Sequence, residues 1–400
     1  MIRTLPPIRL TVLLAAIANT APLSQAAEEP PVQLTTEGNI FRPAVLEPTE
    51  KRIEGLKVPE GFKVTVFAKD LEAPRMMAVD AKGNVYVTRR DPQSDVLLLR
   101  NHDGVAEKPV TVAKIPHVHG IAMRDGKLYL AAVRELYTAE IREDGTLDEP
   151  KKIVSDLPDA GQHANRTLRF SPDGQLFLSV GSTCNAAPEA NPENATMLVV
   201  AKDGSARHTF ASGLRNTIGF DWDPQTKELW GMDHGIDWLG DEIQQEELNH
   251  LKDGKKYGWP YVYEKGQPYL QQDPKKPTGM DWKQYAATCE DMVLGYPAHS
   301  APMALSFYHG SSFPEEYRKD AFVTFHGSWN RKEPKGYKVC RLKFENGKPQ
   351  GFEDFLTGFS VLDDQGQFGR PCGLAETPDG SLLVSDDSGG MIYKISASNH

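Results

Sequence analysis

The sequence predicts an all-β chain, a six-bladed β-propeller with a long loop insertion on one face. Three observations predict it. First, a polar turn followed by a hydrophobic strand recurs six times: Asp80-Ala-Lys-Gly-Asn-Val-Tyr-Val, Arg124-Asp-Gly-Lys-Leu-Tyr-Leu, Ser171-Pro-Asp-Gly-Gln-Leu-Phe-Leu, Asp223-Pro-Gln-Thr-Lys-Glu-Leu-Trp, more loosely Tyr317-Arg-Lys-Asp-Ala-Phe-Val, and Thr377-Pro-Asp-Gly-Ser-Leu-Leu-Val. Copies spaced mostly one blade apart are the signature of four-stranded sheets repeated around an axis. Second, Phe62-Lys-Val-Thr-Val-Phe near the start alternates as a strand does, and Met391-Ile-Tyr-Lys-Ile near the end reads as another. Pairing the early strand with the last blade closes the ring and removes two exposed edges together. Third, 400 residues with 39% hydrophobic content bury a large core, and a propeller of this size counts as one domain.

In chain order, residues 1–26 read as an export signal: Arg3 and Arg9 make a basic start, Leu10 to Ala18 a short apolar stretch, and Ser24-Gln-Ala26 a small-residue cleavage site. The apolar run is too short to span a bilayer, and no second hydrophobic segment follows, so no transmembrane segment is expected. The short signal points to a periplasmic protein. Residues 27–55 are polar and Pro-rich without periodicity, an arm leading into the propeller at 56–397. Even spacing fails between about 235 and 312. Residues 264–300, rich at first in Lys, Pro, Gln and Asp, read as the insertion, and Glu242 to Lys252 has some helical character through Ile243, Leu248 and Leu251. The net charge of −10 offers no basic stripe, so nucleic acid is not an expected partner. Four cysteines permit disulfides in an oxidising compartment; Cys184 and Cys289, both in loop-like sequence, are the favoured pair, and Cys340, in a strand, reads as a buried free thiol.

A propeller leaves one funnel at its axis, lined by the loops between strands, so polar residues just before repeat strands are the candidates for chemistry. Gly161-Gln-His163 precedes the third repeat strand and offers a general base, or a hydrogen-bonded loop histidine. Gly213-Leu-Arg215-Asn216 supplies a donor fork and an amide, suited to a carboxylate or a developing oxyanion, or else to a surface salt bridge. Asp233-His-Gly235-Ile236 with Asp241-Glu242, followed by Tyr257-Gly-Trp-Pro260, brings together acids and glycine-flanked carbonyls of the kind calcium prefers, although the spacing is not that of an EF-hand. Phe325-His326-Gly-Ser-Trp329-Asn330-Arg331 ends a hydrophobic strand in a cluster of donors, and Phe368-Gly-Arg370 precedes the last repeat strand. Arg370 stands at nearly the same offset from its strand as His163 and Arg215 do from theirs, so the three converge on one funnel. His117-Val-His119 could add another group but is weak as a metal site. The residues fit a planar anionic ligand with a base beside it.

The ordered set Pro-Glu-Gly-Phe62, Gly161-Gln-His163, Leu214-Arg-Asn216, Tyr257-Gly-Trp-Pro260, His299-Ser-Ala-Pro302, His326-Gly-Ser-Trp-Asn-Arg331 and Gly369-Arg-Pro371 resembles the soluble pyrroloquinoline-quinone-dependent sugar dehydrogenases, within them the L-sorbosone dehydrogenase-like branch, from about Val58 to Ile395. The resemblance implies a propeller with pyrroloquinoline quinone (PQQ) in its funnel and Ca2+ bridging cofactor and protein. It makes His163 the base that takes the substrate hydroxyl proton as hydride moves to the quinone, and Arg215 the cation beside the quinone carbonyl. Asn216 holds the same edge, and Arg370 grips a cofactor carboxylate. Asn330, Arg331 and His119 are further cofactor contacts, Gly235 and Ile236 bind the cofactor calcium through main-chain oxygens, and Glu242 and Tyr257 ligate a second calcium. Some relatives place an acidic residue directly before the base; here Gln162 stands there, so a carboxylate partner for His163 has to come from elsewhere. Asn165-Arg-Thr formally reads as a glycosylation sequon, but a glycan there would obstruct the funnel, so it is taken as coincidence.

The implied activity is oxidation of an aldose C1 hydroxyl or a sugar aldehyde, with electrons passing to a cytochrome or a quinone pool. The alternatives are a calcium-dependent propeller lactonase and a non-catalytic binding propeller.

Overall fold

The structure, a computed structural model, describes residues 38–361 and 366–398; the export signal lies outside the described residues. Six antiparallel sheets of the propeller follow one another along the chain. The first blade runs Pro74–Val79, Val85–Arg89, Asp95–Leu99 and Val110–Lys114 from the axis outward, and the second runs Gly120–Arg124, Lys127–Ala131, Leu136–Glu140 and Lys151–Val154. The third comprises Leu168–Phe170, Leu176–Val180, Thr196–Val200 and Arg207–Ser212, and the fourth Gly219–Trp222, Leu229–Asp233, Glu246–Leu251 and Leu294–Tyr296. The fifth is Pro302–Phe307, Ala321–Phe325, Lys338–Glu345 and Lys348–Leu356. The sixth takes three strands from the end of the chain, Pro371–Glu376, Leu382–Asp386 and Met391–Ala397, and its outer strand, Phe62–Ala68, from the beginning.

Each copy of the repeated phrase is the turn into the second strand of a blade, and the expected six-bladed propeller is what forms. Ring closure is also as expected: Val64 pairs with Ile395 and Val66 with Tyr393 in antiparallel register. A blade is hydrophobic on both faces and must bury each against a neighbour. Accordingly, the apolar side chains gather into clusters at the blade junctions. Met232 and Leu248 of the fourth blade meet Leu305 and Val323 of the fifth, and Phe67 and Ile392 of the sixth meet Met77 and Val85 of the first. At the axis the inner strands approach so closely that a Cβ at Gly219 would sit 2.4 Å from Leu305 N, and one at Gly373 2.2 Å from Arg75 O. Only glycine allows that approach.

Three expectations are corrected. Glu246–Leu251 is a strand, not a helix, because it is the third strand of a blade with its backbone paired on both sides. The departure from the repeat lies between Leu251 and Leu294, so it begins earlier than residue 264. It contains a parallel strand pairing with the third blade (Lys255–Lys256), a short hairpin (Val262–Tyr263 with Gln267–Pro268) and two one-turn helices, Lys275–Thr278 and Trp282–Ala286. Cys184 and Cys289 are unpaired: the first packs with Ile236 and Trp259, the second with Tyr261 and Tyr285, in separate apolar clusters. Cys340 is a buried free thiol. Among the described residues no helix is long and apolar enough to cross a membrane.

Candidate functional site

In an antiparallel blade the segment entering the inner strand and the segment leaving the second strand emerge on the same face. The funnel is therefore walled by two tiers of loops. The entering tier supplies His119, His163, Arg215, Asn216 and Arg370, with Arg75 at the start of the first blade's inner strand; the leaving tier supplies His234 and His326. These residues line one cavity of about 470 Å3, within the range of small-molecule sites. A larger groove of about 970 Å3 lies on the outer flank beside Glu50–Glu54 and Val105. It gathers no comparable set of arginines and histidines, so the site is identified by its donors rather than by its volume.

His163 is buried, and its Nδ1 lies 2.9 Å from Ser182 O and 2.8 Å from Ser182 Oγ. The serine hydroxyl donates to Cys184 O at 2.7 Å, so Nδ1 carries the proton and Nε2 keeps its lone pair. Burial first, then Arg215 and His234, push its pKa down to about 2, and the imidazole is neutral at pH 7. Among the described residues no carboxylate bonds His163, and the place left open by Gln162 is taken by Ser182 instead. His119 is likewise buried and neutral, its pKa pushed down to about 3 by burial and Arg75.

Arg215 donates Nε to Asn185 O at 2.8 Å and Nη2 to Asp237 Oδ2 at 3.0 Å, while Asp233 accepts from the backbone amides of both Arg215 and Asn216. Asp233 therefore shapes the loop, and Asp237 aims the guanidinium. Arg370 is held by carbonyls: Nε reaches His326 O at 2.9 Å and Nη2 reaches Gly327 O at 2.6 Å. Arg75 pairs with Asp387 at 2.5 Å, and its buried Nε has no protein partner. Four guanidiniums, with Arg90 the fourth, stand against three carboxylates, Asp91, Asp237 and Asp387, so the funnel is short of negative charge. A flat polycarboxylate quinone fits that donor set, and Arg370, Arg215, Asn216 and Arg75 are the residues that would hold it.

The remaining candidates separate. Asn330 is buried behind the wall, donating to Asp237 Oδ1 at 2.7 Å and touching His299 Nδ1 at 3.1 Å, and Arg331 turns to Ala298 O and Glu242. Neither is among the residues that line the cavity; in this structure both brace the rim. Glu242 is exposed and paired with Arg331 at 2.6 Å, whereas the Tyr257 ring packs between the third and fourth blades and its hydroxyl donates to His250 O at 2.6 Å. Their side chains do not form the joint calcium site expected of them. Gly235 and Ile236 are also outside the cavity lining, between His234 and Asp237, which do line it. Their amides are tied to Glu246 and Gln244, and their carbonyl oxygens accept no hydrogen bond among the described residues, which suits a hard cation. Arg75, Asp237 and Asp387 were missed as site residues, and His234 and His326, which lie within the quoted segments, were given no role. The usable signal was position: His326 and Asp387 sit just past the end of a repeat strand.

Fold and site together define a propeller that binds a small anionic ligand in a cationic, histidine-lined funnel. The chain belongs to the TrAA12-like family, whose pattern it matches over residues 56–398. It is 31% identical to an uncharacterized protein of Borreliella burgdorferi, over 85% of this chain and 90% of that one. It is 24% identical to a pyrroloquinoline quinone-dependent sugar dehydrogenase of Hypocrea jecorina, over 85% and 89%. The calcium structure of the Trichoderma reesei carbohydrate-active enzyme of family AA12 superposes with a TM-score of 0.74 at 22% identity, covering 90% of this chain and 99% of that one. The resemblance to the soluble quinone-dependent sugar dehydrogenases, a family of oxidoreductases, is thereby borne out.

Proposed function

We propose that the protein oxidises the C1 hydroxyl of an aldose, or the hydrated aldehyde of a sugar-like substrate, with PQQ in the funnel and Ca2+ at the carbonyls of Gly235 and Ile236. The observation that carries this is the convergence of Arg75, Arg215 and Arg370 with the unprotonated Nε2 of His163 on one cavity. When bound, the quinone supplies the two-electron acceptor. The protein's part is position and charge. Arg370 and Arg75 would hold carboxylate groups, and Arg215, steadied by Asp237, would stabilise the negative charge that develops on reduction. The His163 Nε2 takes the hydroxyl proton, and its Nδ1–H bond to Ser182 fixes the ring for that task. Arg166, fully buried, ties the same loop by donating to His163 O and Pro158 O. The export signal read in the sequence supports a periplasmic location, with electrons leaving to a cytochrome or quinone pool.

Purified protein reconstituted with PQQ and Ca2+ should reduce a redox dye with at least one member of a sugar panel. His163→Ala should still take up the quinone but lose at least 100-fold in turnover, the scale of a general base. Near-normal turnover in that variant would overturn the assignment of the base.

A further inference from the structure

The second strand of the fifth blade ends at Phe325 and that of the sixth at Asp386, so the next residues, His326 and Asp387, emerge in the same tier of neighbouring blades. His326 Nε2 lies 2.7 Å from Asp387 Oδ1, and Arg75 Nη1 lies 2.5 Å from Asp387 Oδ2. The carboxylate is almost wholly enclosed, its side chain 5% exposed. A carboxylate only accepts, so Nε2 must carry the proton it shares with Asp387, and Nδ1 is left with its lone pair. Nδ1 has no partner among the described residues, and His326 lines the funnel. This is the carboxylate-backed imidazole that His163, held by a serine, is not.

We propose that His326, oriented and charge-compensated by Asp387, is a second catalytic base of the funnel, accepting a hydroxyl proton of the bound substrate at Nδ1. The hydrated aldehyde carries two hydroxyl protons: His163 takes one as the two electrons leave to the quinone, and the other O–H bond breaks as an Nδ1–H bond forms on His326, which leaves the product as a carboxylate and the ring's positive charge balanced by Asp387. The inference rests on that reading for its substrate class. The groups facing His326 are Asp387, Arg370 from the segment entering the sixth blade, Arg75 from the first and His234 from the fourth. Burial and the arginines lower its proton affinity, while Asp387 raises it, leaving its pKa at about 4 against about 2 for His163. The same pairing, with Arg75, holds the Asp387 carboxyl well below the usual range despite burial.

Two measurements test this. In the apoprotein, imidazole NMR resonances assigned by their loss in His326→Gln and His163→Gln should show His326 titrating above His163, and Asp387→Asn should close the gap. In the reconstituted protein, His326→Gln should lower kcat at least tenfold. Asp387→Asn should lower kcat and also move the acid limb of the kcat profile to lower pH, because the ring then loses its proton more readily; a merely structural role would leave that limb in place. His326 titrating at or below His163, or His326→Gln retaining kcat within threefold, would overturn the proposal. The predicted titration order with no sugar oxidised by the reconstituted wild type would uphold His326 as the more basic of the two histidines but sink the dehydrogenase reading and, with it, the catalytic role.

Discussion

Arg370 is half-buried and held by carbonyl oxygens, with no carboxylate bonded to its guanidinium among the described residues, so its charge is available to an anion in the cavity. Arg370→Ala should weaken PQQ uptake at least tenfold, about 1.4 kcal/mol or more, in a fluorescence titration of the apoprotein, with Arg370→Lys recovering part of the loss. An affinity unchanged by Arg370→Ala would remove this residue from the cofactor site. Asp237 acts one step back, holding Arg215, Asn330 and, at 3.5 Å, Gln162. Residues of the entering tier were legible in the sequence because each stands within a few positions ahead of an inner strand. Asp237 and Asp387 were not, since each gains its role from a partner distant in sequence, Arg215 across the loops of the same blade for Asp237 and Arg75 and His326 on neighbouring blades for Asp387.

The closing strand Phe62–Ala68 belongs to the N-terminal part of the chain but completes the last blade, and Phe62 anchors it. Its ring lies edge-on to Phe313, Tyr317 and Phe355 at centroid distances of 4.8, 4.9 and 5.1 Å. Phe62→Ala should cost about 3–5 kcal/mol in urea unfolding, because it leaves a cavity where the closing strand packs against Phe313, Tyr317 and Phe355. A loss below 1 kcal/mol would mean the seam is not held there. This strand was legible from its alternation, its outer face being partly open to solvent. Glu246–Leu251 was not. Its buried positions fall on both faces, and the leucines at 248 and 251 mimic helical spacing when the neighbouring strands are unknown.

Across the whole molecule, ionisable groups are buried around the funnel and shift in opposite senses. The histidines are held neutral, which favours the folded state as pH rises towards their ordinary values. Asp386 opposes them: one oxygen accepts from the amides of Arg370, Ser388 and Gly389, the other is buried without a partner, and burial raises the pKa from 3.8 to about 7. The folded protein keeps a proton there that the unfolded chain has released, so this group lowers stability as pH rises from about 4 to about 7. Relative to wild type, Asp386→Asn should gain about 2–4 kcal/mol across that window in urea unfolding followed at several pH values. A constant difference would show that Asp386 ionises normally in the fold. Repeat number, blade order, ring closure and the entering tier of the funnel were all determined by the sequence alone, because period and offset are local properties of a repeating chain. The leaving tier, the serine that replaces a carboxylate on His163, the unpaired cysteines and the withdrawal of Asn330 and Arg331 behind the rim were decided only by tertiary structure. Each depends on which side chains the closed ring brings within hydrogen-bond reach, and no spacing along the chain encodes that distance.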